Sequence, residues 1–210
     1  MKYVDLSRTF DNSVSGFKKS KAKDYVKDGW NASTLSFYSH SGTHMDAPIH
    51  FEVKNDTIEQ YPIERFFAKR CWVVDVNVNV PSQLIKIVDV LPQLSKFVPG
   101  DSILVRTGWS IKYGTEEYRN DLPRISKELA EWMVLQKVNI LGVEAPSVAD
   151  VNNLAEVDEI HKILLDTVII VEGLVNVGKL ESNLIELIAL PLKIAGGDGC
   201  PCRVIGIDKT

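Results

Sequence analysis

The chain has 210 residues, 45% of them hydrophobic, which is enough to bury a full core, and residues 1–210 are expected to form a single domain. Its 24 lysines and arginines are outnumbered by 28 acids, a formal net charge of -4, so it lacks the basic excess that a nucleic-acid partner requires. The longest uncharged apolar run, around Pro191, is far shorter than the roughly 20 residues of a membrane span, and Asp5 falls where a secretory leader would begin its apolar stretch; a cytoplasmic location with no membrane partner is expected.

In chain order, residues 3–6 and 34–38 are short apolar or β-branched segments bounded by turn residues, and they read as strands. The lysines at 18, 19, 21 and 23 between them read as a solvated segment. Strands are also expected over 72–78, 102–106, 139–143, 168–171, 187–194 and 203–207. A helix over 87–97 is interrupted by Pro92, because proline lacks the N–H and clashes with the preceding turn. Ser126 is placed to cap a helix whose apolar residues Leu129, Ala130, Met133 and Val134 recur at three and four, and 158–165 reads as a shorter helix. Groups of strands broken by isolated helices, without regular alternation, predict an α/β fold with a mixed sheet rather than a doubly wound parallel one.

Three of the four histidines, His40, His44 and His50, fall in one eleven-residue window with Asp46. Imidazole nitrogens clustered with a carboxylate are the donors a borderline divalent ion takes, zinc first, with manganese left open by the carboxylate and water. Gly42 permits a tight turn and Pro48 ends any helix shared by His40 and His44, so the ligands are expected on a loop after the 34–38 strand. Two histidines and one carboxylate leave coordination positions open, as in catalytic rather than structural sites. His50 lies beyond Asp46 and past a proline, where it can approach without serving as a ligand, and its ordinary pKa near 6.5 suits proton transfer. His161 is the one remaining histidine, expected at the start of the 158–165 helix, and Glu172 ends an apolar strand, where a buried carboxylate needs a partner. Cys200 and Cys202, either side of Pro201, read as small buried side chains. Ser147 lacks the glycines of a nucleophile elbow, and the tryptophans read as core or interface residues, one or two of them candidates for a pocket wall.

Residues 40–51 read His-x-Gly-Thr-His-x-Asp-x-Pro-x-His-Phe. Asp5-Leu6-Ser7, Arg106-Thr107-Gly108-Trp109, Ala145-Pro146-Ser147, Glu172-Gly173-Leu174, Leu190-Pro191-Leu192 and Gly197-Asp198-Gly199 accompany this stretch. With these landmarks in this order, the chain resembles the cyclase family of metal-dependent hydrolases, which includes bacterial kynurenine formamidases and isatin hydrolases. The resemblance implies a swivelling β/β/α-like architecture and one or two divalent ions per chain. His40, His44 and Asp46 would hold the first ion, with Asp46 bridging to a second held by His161 and Glu172, and His50 would transfer protons. It implies hydrolysis of a small-molecule amide by metal-activated water, with an aryl formamide such as N-formylkynurenine, an intermediate of tryptophan catabolism, as the leading substrate. It also implies a homodimer or larger assembly. The alternatives are a cyclic amide or lactone of isatin type, or a metal- or ligand-binding module without turnover.

Overall fold

A computed structural model describes residues 1–209. Strand β1 (Lys2–Asp5) is followed by β2 (Lys18–Lys23), the short helix α1 (Tyr25–Asp28) and β3 (Ala32–Ser36), then by β4 (His44–Asp46) and β5 (Phe67–Asp75). Next come β6 (Leu84–Ile85), α2 (Ile87–Val90), β7 (Ser102–Arg106), α3 (Glu116–Asn120), β8 (Arg124–Ile125) and α4 (Lys127–Leu135). The chain continues through β9 (Ile140–Val143), α5 (Leu154–Leu164), β10 (Ile169–Glu172), β11 (Leu184–Pro191) and β12 (Gly199–Asp208).

The main sheet runs β1-β12-β11-β5-β7-β9-β10-β4, and β4 pairs again with β12, so seven strands close into a barrel with β1 alongside. The pairs β5–β7, β7–β9 and β9–β10 are parallel and the others antiparallel, the mixed sheet expected. Closure depends on the length of β12. Its residues 199–201 pair with β4, residues 205–208 pair with β1 on the same edge, and β11 takes the opposite edge.

Successive side chains on a strand face opposite ways, and β5, β7, β9 and β10 are apolar on both faces. Val73, Leu104, Ile140, Ile169, Val171 and Met45 fill the interior. Val74, Ile103, Val105, Leu141 and Ile170 face outward, where Leu129 and Met133 of α4 and Ile160 and Leu164 of α5 cover them. Ser126 caps α4 by accepting from Leu129 N, as predicted. Helix α5 starts earlier than expected because Asn153, accepting from Glu156 N, supplies the cap. The predicted 87–97 helix is instead α2 followed by a 3-10 turn, Leu91–Gln93, at Pro92.

The expected ligand loop is corrected. His44 and Asp46 lie on a strand rather than a loop, because β10 and β12 offer backbone partners on both sides of β4. Pro48 opens a 3-10 turn, Pro48–Phe51, at a position where its missing N–H costs nothing. Strands β2 and β3 form a separate hairpin whose lysine strand is exposed throughout.

Candidate metal centre

Sheet pairing builds half of the site. His44 and Asp46 are two residues apart on β4 and share its outward face, while Met45 points into the barrel. Glu172, at the end of β10, is the register partner of His44, which puts the two side chains next to each other. Helix α5 lies over this face and lowers His161 onto it from its last turn, not from its start as expected. His44 Nε2 is 3.3 Å from Glu172 Oε2 and 3.6 Å from Asp46 Oδ1; His161 Nε2 is 3.5 Å from Glu172 Oε1 and 3.8 Å from Asp46 Oδ2. His161 and Glu172 are each 3% exposed, so neither is a surface residue.

The outer nitrogens of these imidazoles are tied to backbone. His161 Nδ1 donates to Val157 O at 2.7 Å and His44 Nδ1 to Gly42 O at 3.2 Å, which turns both Nε2 atoms toward the carboxylates. Gly42 holds its carbonyl there with φ of +62°, the turn expected of it.

His40 arrives from the preceding loop. Its Nδ1 is 2.8 Å from Asp46 Oδ1, its Nε2 is 3.0 Å from Asp198 Oδ2, and its ring stacks on His50 with centroids 3.8 Å apart. The stack needs Gly199, since a Cβ there would lie 2.5 Å from His40 Cε1. His50 sits on the Pro48–Phe51 turn with Nδ1 3.9 Å from Asp198 Oδ2, and Phe51 stacks on His161. All six predicted residues therefore converge: five form two groups that share Asp46, namely His40, Asp46 and His50, and His44, Asp46 and Glu172, and His161 faces the carboxylates of the second group.

Burial works against charge on His40, but the hydrogen bonds and charges of Asp46 and Asp198 outweigh it and raise its pKa to about 9. Burial lowers that of His50, and the nearby His40 and His161 charges reinforce this. Burial alone would raise the Asp46 carboxyl; the His40 hydrogen bond and the surrounding imidazoles hold it well below the usual carboxylate range. Glu172 is also lowered: burial and the Asp46 charge push it up, but hydrogen bonds from His161 and His44 prevail.

The donors of the centre themselves point to a cation. Asp46 Oδ2 is fully buried and has no hydrogen-bond partner, an arrangement that costs free energy unless a positive group meets that lone pair. Two imidazole nitrogens and two carboxylates around this oxygen are the donor set of a borderline divalent ion. These residues fit such an ion.

The centre forms the floor of a cavity of about 620 Å³. Tyr38, Phe51, Tyr113 and Tyr118 make an aromatic wall, and Glu116 and Arg119 of α3 stand at its mouth. None of the four tryptophans lines this cavity; Trp72 and Trp109 are core residues and Trp30 is exposed on the hairpin. Ser147 does line it, and its Oγ accepts from Ala149 N. Cys200 and Cys202 are buried free thiols, which burial pushes up in pKa. Asp198 has no predicted role although it binds His40, because only the β12–β4 pairing brings it there.

Residues 4–150 match the sequence model of the Cyclase family, described as "Putative cyclase". The chain belongs to the Cyclase family. This cyclase-family chain is 33% identical over 178 residues to a kynurenine formamidase of Salinibacter ruber, covering 83% of the chain and 79% of that protein. It is 26% identical over 218 residues to the kynurenine formamidase of Bacillus anthracis, covering 97% and 96%. Isatin hydrolase A from Ralstonia solanacearum shares the fold with a TM-score of 0.86 at 24% identity, over 99% of this chain and 92% of that one.

Proposed function

We propose that this chain is a metal-dependent hydrolase of amides, with an aryl formamide such as N-formylkynurenine as its leading substrate. The observation that carries the reading is the orphaned Asp46 Oδ2, ringed by imidazoles and a second carboxylate at the floor of a cavity, with His50 in the wall. His40, His44, Asp46, His161 and Glu172 are the proposed holders of one or two divalent ions, zinc or manganese. The sharing of Asp46 between two groups of donors supports a bridging role for it. When bound, such an ion supplies Lewis acidity, acidifying water and polarising a carbonyl.

The protein's own residues supply the rest. The tyrosines and Phe51 hold the aryl body, and the cavity volume lies within the roughly 300–1,000 Å³ of small-molecule sites. His50, with Nδ1 on the Asp198 side, keeps Nε2 for the reacting atoms, takes the proton of the attacking water and returns it to the leaving nitrogen. Asp198 anchors His40 Nε2, which leaves Nδ1, beside Asp46, as the atom for an ion, and the His40 ring in turn orients His50 by stacking. A cyclic amide or lactone is the second reading, favoured by the fold shared with isatin hydrolase, and the same residue roles serve it. A module without turnover would have no use for His50 in the cavity wall.

The reading extends to the setting of the site. The barrel recruits strands from both ends of the chain, which supports one domain over residues 1–210. The buried thiols suit a reducing cytoplasm. The hairpin exposes Tyr25, Trp30, Leu35 and Val26, the last 91% exposed, and a second copy of the chain would cover them. Sedimentation at micromolar concentration is expected to give a dimer or larger, and a monomer would overturn that part.

The function is tested on protein purified without added metal or chelator. Elemental analysis is followed by assays of aryl formamides, cyclic amides and lactones with zinc or manganese. N-formylkynurenine is expected to give the highest kcat/KM, and a metal-loaded protein that turns over none of these substrates would sink the proposal.

A further inference from the structure

Helix α3 carries three charges near the cavity, and they divide into two kinds. Glu117 is ion-paired with Lys112. Glu116 and Arg119, which line the cavity mouth, have no ion pair among the described residues. Each is steadied by one neutral hydrogen bond: Glu116 Oε2 accepts from Asn120 Nδ2 at 3.0 Å, and Arg119 Nη1 donates to Asn152 Oδ1 at 2.9 Å. Asn152 is itself anchored, its backbone N–H donating to Asp150 Oδ1 at 2.9 Å. Most of the five N–H donors of the guanidinium thus remain for a ligand, as does Glu116 Oε1. The mouth thus offers one cation and one anion on the cavity whose lining also holds the aromatic wall and the candidate centre.

We infer that Glu116 and Arg119 select substrates with an α-amino-acid tail, Arg119 taking the carboxylate and Glu116 the ammonium. This rests on the amide-hydrolase reading, and it names the class of amide: an aromatic amide at one end and a zwitterion at the other. Arginine suits the carboxylate because its planar fork can pair with both oxygens. A neutral aryl amide would fill the same wall but leave both charges at the mouth without a partner.

The test measures binding apart from turnover. L-kynurenine and 2-aminoacetophenone, the same aryl ketone without the tail, are titrated calorimetrically into the metal-loaded wild type and into Arg119→Gln and Glu116→Gln. Both positions are exposed, so the variants should fold. The wild type is expected to bind L-kynurenine more tightly. Each variant should reduce the ratio of the two affinities about five- to twentyfold, the range for a charge-assisted hydrogen bond partly screened by water. Equal binding of the two probes by the wild type, or an unchanged ratio in Arg119→Gln, would overturn the inference. In parallel, KM is measured for N-formylkynurenine and for formanilide. If both are hydrolysed with equal KM, the inference fails and the hydrolase reading stands. If neither is hydrolysed while the binding preference persists, the hydrolase reading fails and the recognition of the tail stands.

Discussion

Asp46 meets three imidazoles with two oxygens: Oδ1 takes the His40 hydrogen bond and lies near His44, while Oδ2 faces His161 with no bond of its own. Asp46→Ala should therefore remove the proposed ion and all hydrolysis together, and elemental analysis showing full occupancy in that variant would refute the ligand assignment. Glu172 makes a subtler case because its Oε1 also accepts from Val148 N at 2.8 Å. Glu172→Gln keeps that acceptor and removes the charge, so metal content is expected to fall from two toward one per chain with the fold intact. Unchanged stoichiometry would leave Glu172 as a structural anchor of the 145–149 segment. His50 is predicted to behave differently from both. His50→Ala should retain the metal and lose about 10²–10⁴-fold in kcat, the usual weight of a positioned proton-transfer group. Parallel loss of metal and activity would make His50 a ligand instead.

The apolar strands β5, β7, β9 and β10 were legible because residues buried on both faces leave near-continuous hydrophobic runs. Helix α4 was legible from Ser126 and its apolar spacing. By contrast, β2 has no buried face to write a pattern, and β4 is three residues long with polar side chains outward, so neither has the signature of a strand. The site divides in a similar way. Its first half shows as ligand spacing within residues 40–50, and His161 and Glu172 stand out mainly through the family resemblance. Asp198, Tyr113, Tyr118 and Arg119 depend on which elements pack together, and spacing carries no trace of that. Strand β12 is where this matters most for chemistry, since Gly199 leaves the space in which His40 stands. Gly199→Ala should displace that ring, lower kcat at least tenfold and weaken metal retention, and, because the same Cβ would lie 2.8 Å from Met45 O on β4, it should lower the unfolding temperature as well. Wild-type kinetics in this variant would show that the contact yields at no cost.

Across the whole molecule, the barrel is also held by ionic ties at its ends. Arg106 on β7 donates from Nε and Nη2 to Asp75 on β5 at 2.6 and 2.8 Å and from Nη1 to Leu180 O at 2.9 Å. The Arg106 hydrogen bonds hold the Asp75 carboxyl below its ordinary range. A folded-state pKa lower than the unfolded one means that the unfolded chain binds more protons, so this stabilisation is fully present above the ordinary carboxylate pKa and is lost as pH falls through the lowered folded-state value. The pair is partly exposed, which limits it to about 0.5–1 kcal/mol. Asp75→Asn should lower Tm by roughly 1–4 °C at pH 6, and the difference should shrink steadily as pH falls below the ordinary carboxylate range. A difference that persisted at low pH would assign the effect to packing. The closure of the barrel has a consequence in time as well as space. His40, His44 and Asp46 leave the ribosome early, but β4 has no neighbour until residues 169–172 arrive, and His40 has no support from Asp198 and Gly199 until β12 is made. Since β12 follows every candidate ligand in the chain, a nascent polypeptide can carry all of these side chains and still lack the geometry that holds an ion. Metal capture in the native arrangement thus belongs to the final stage of folding, after the seam between β4 and β12 has closed.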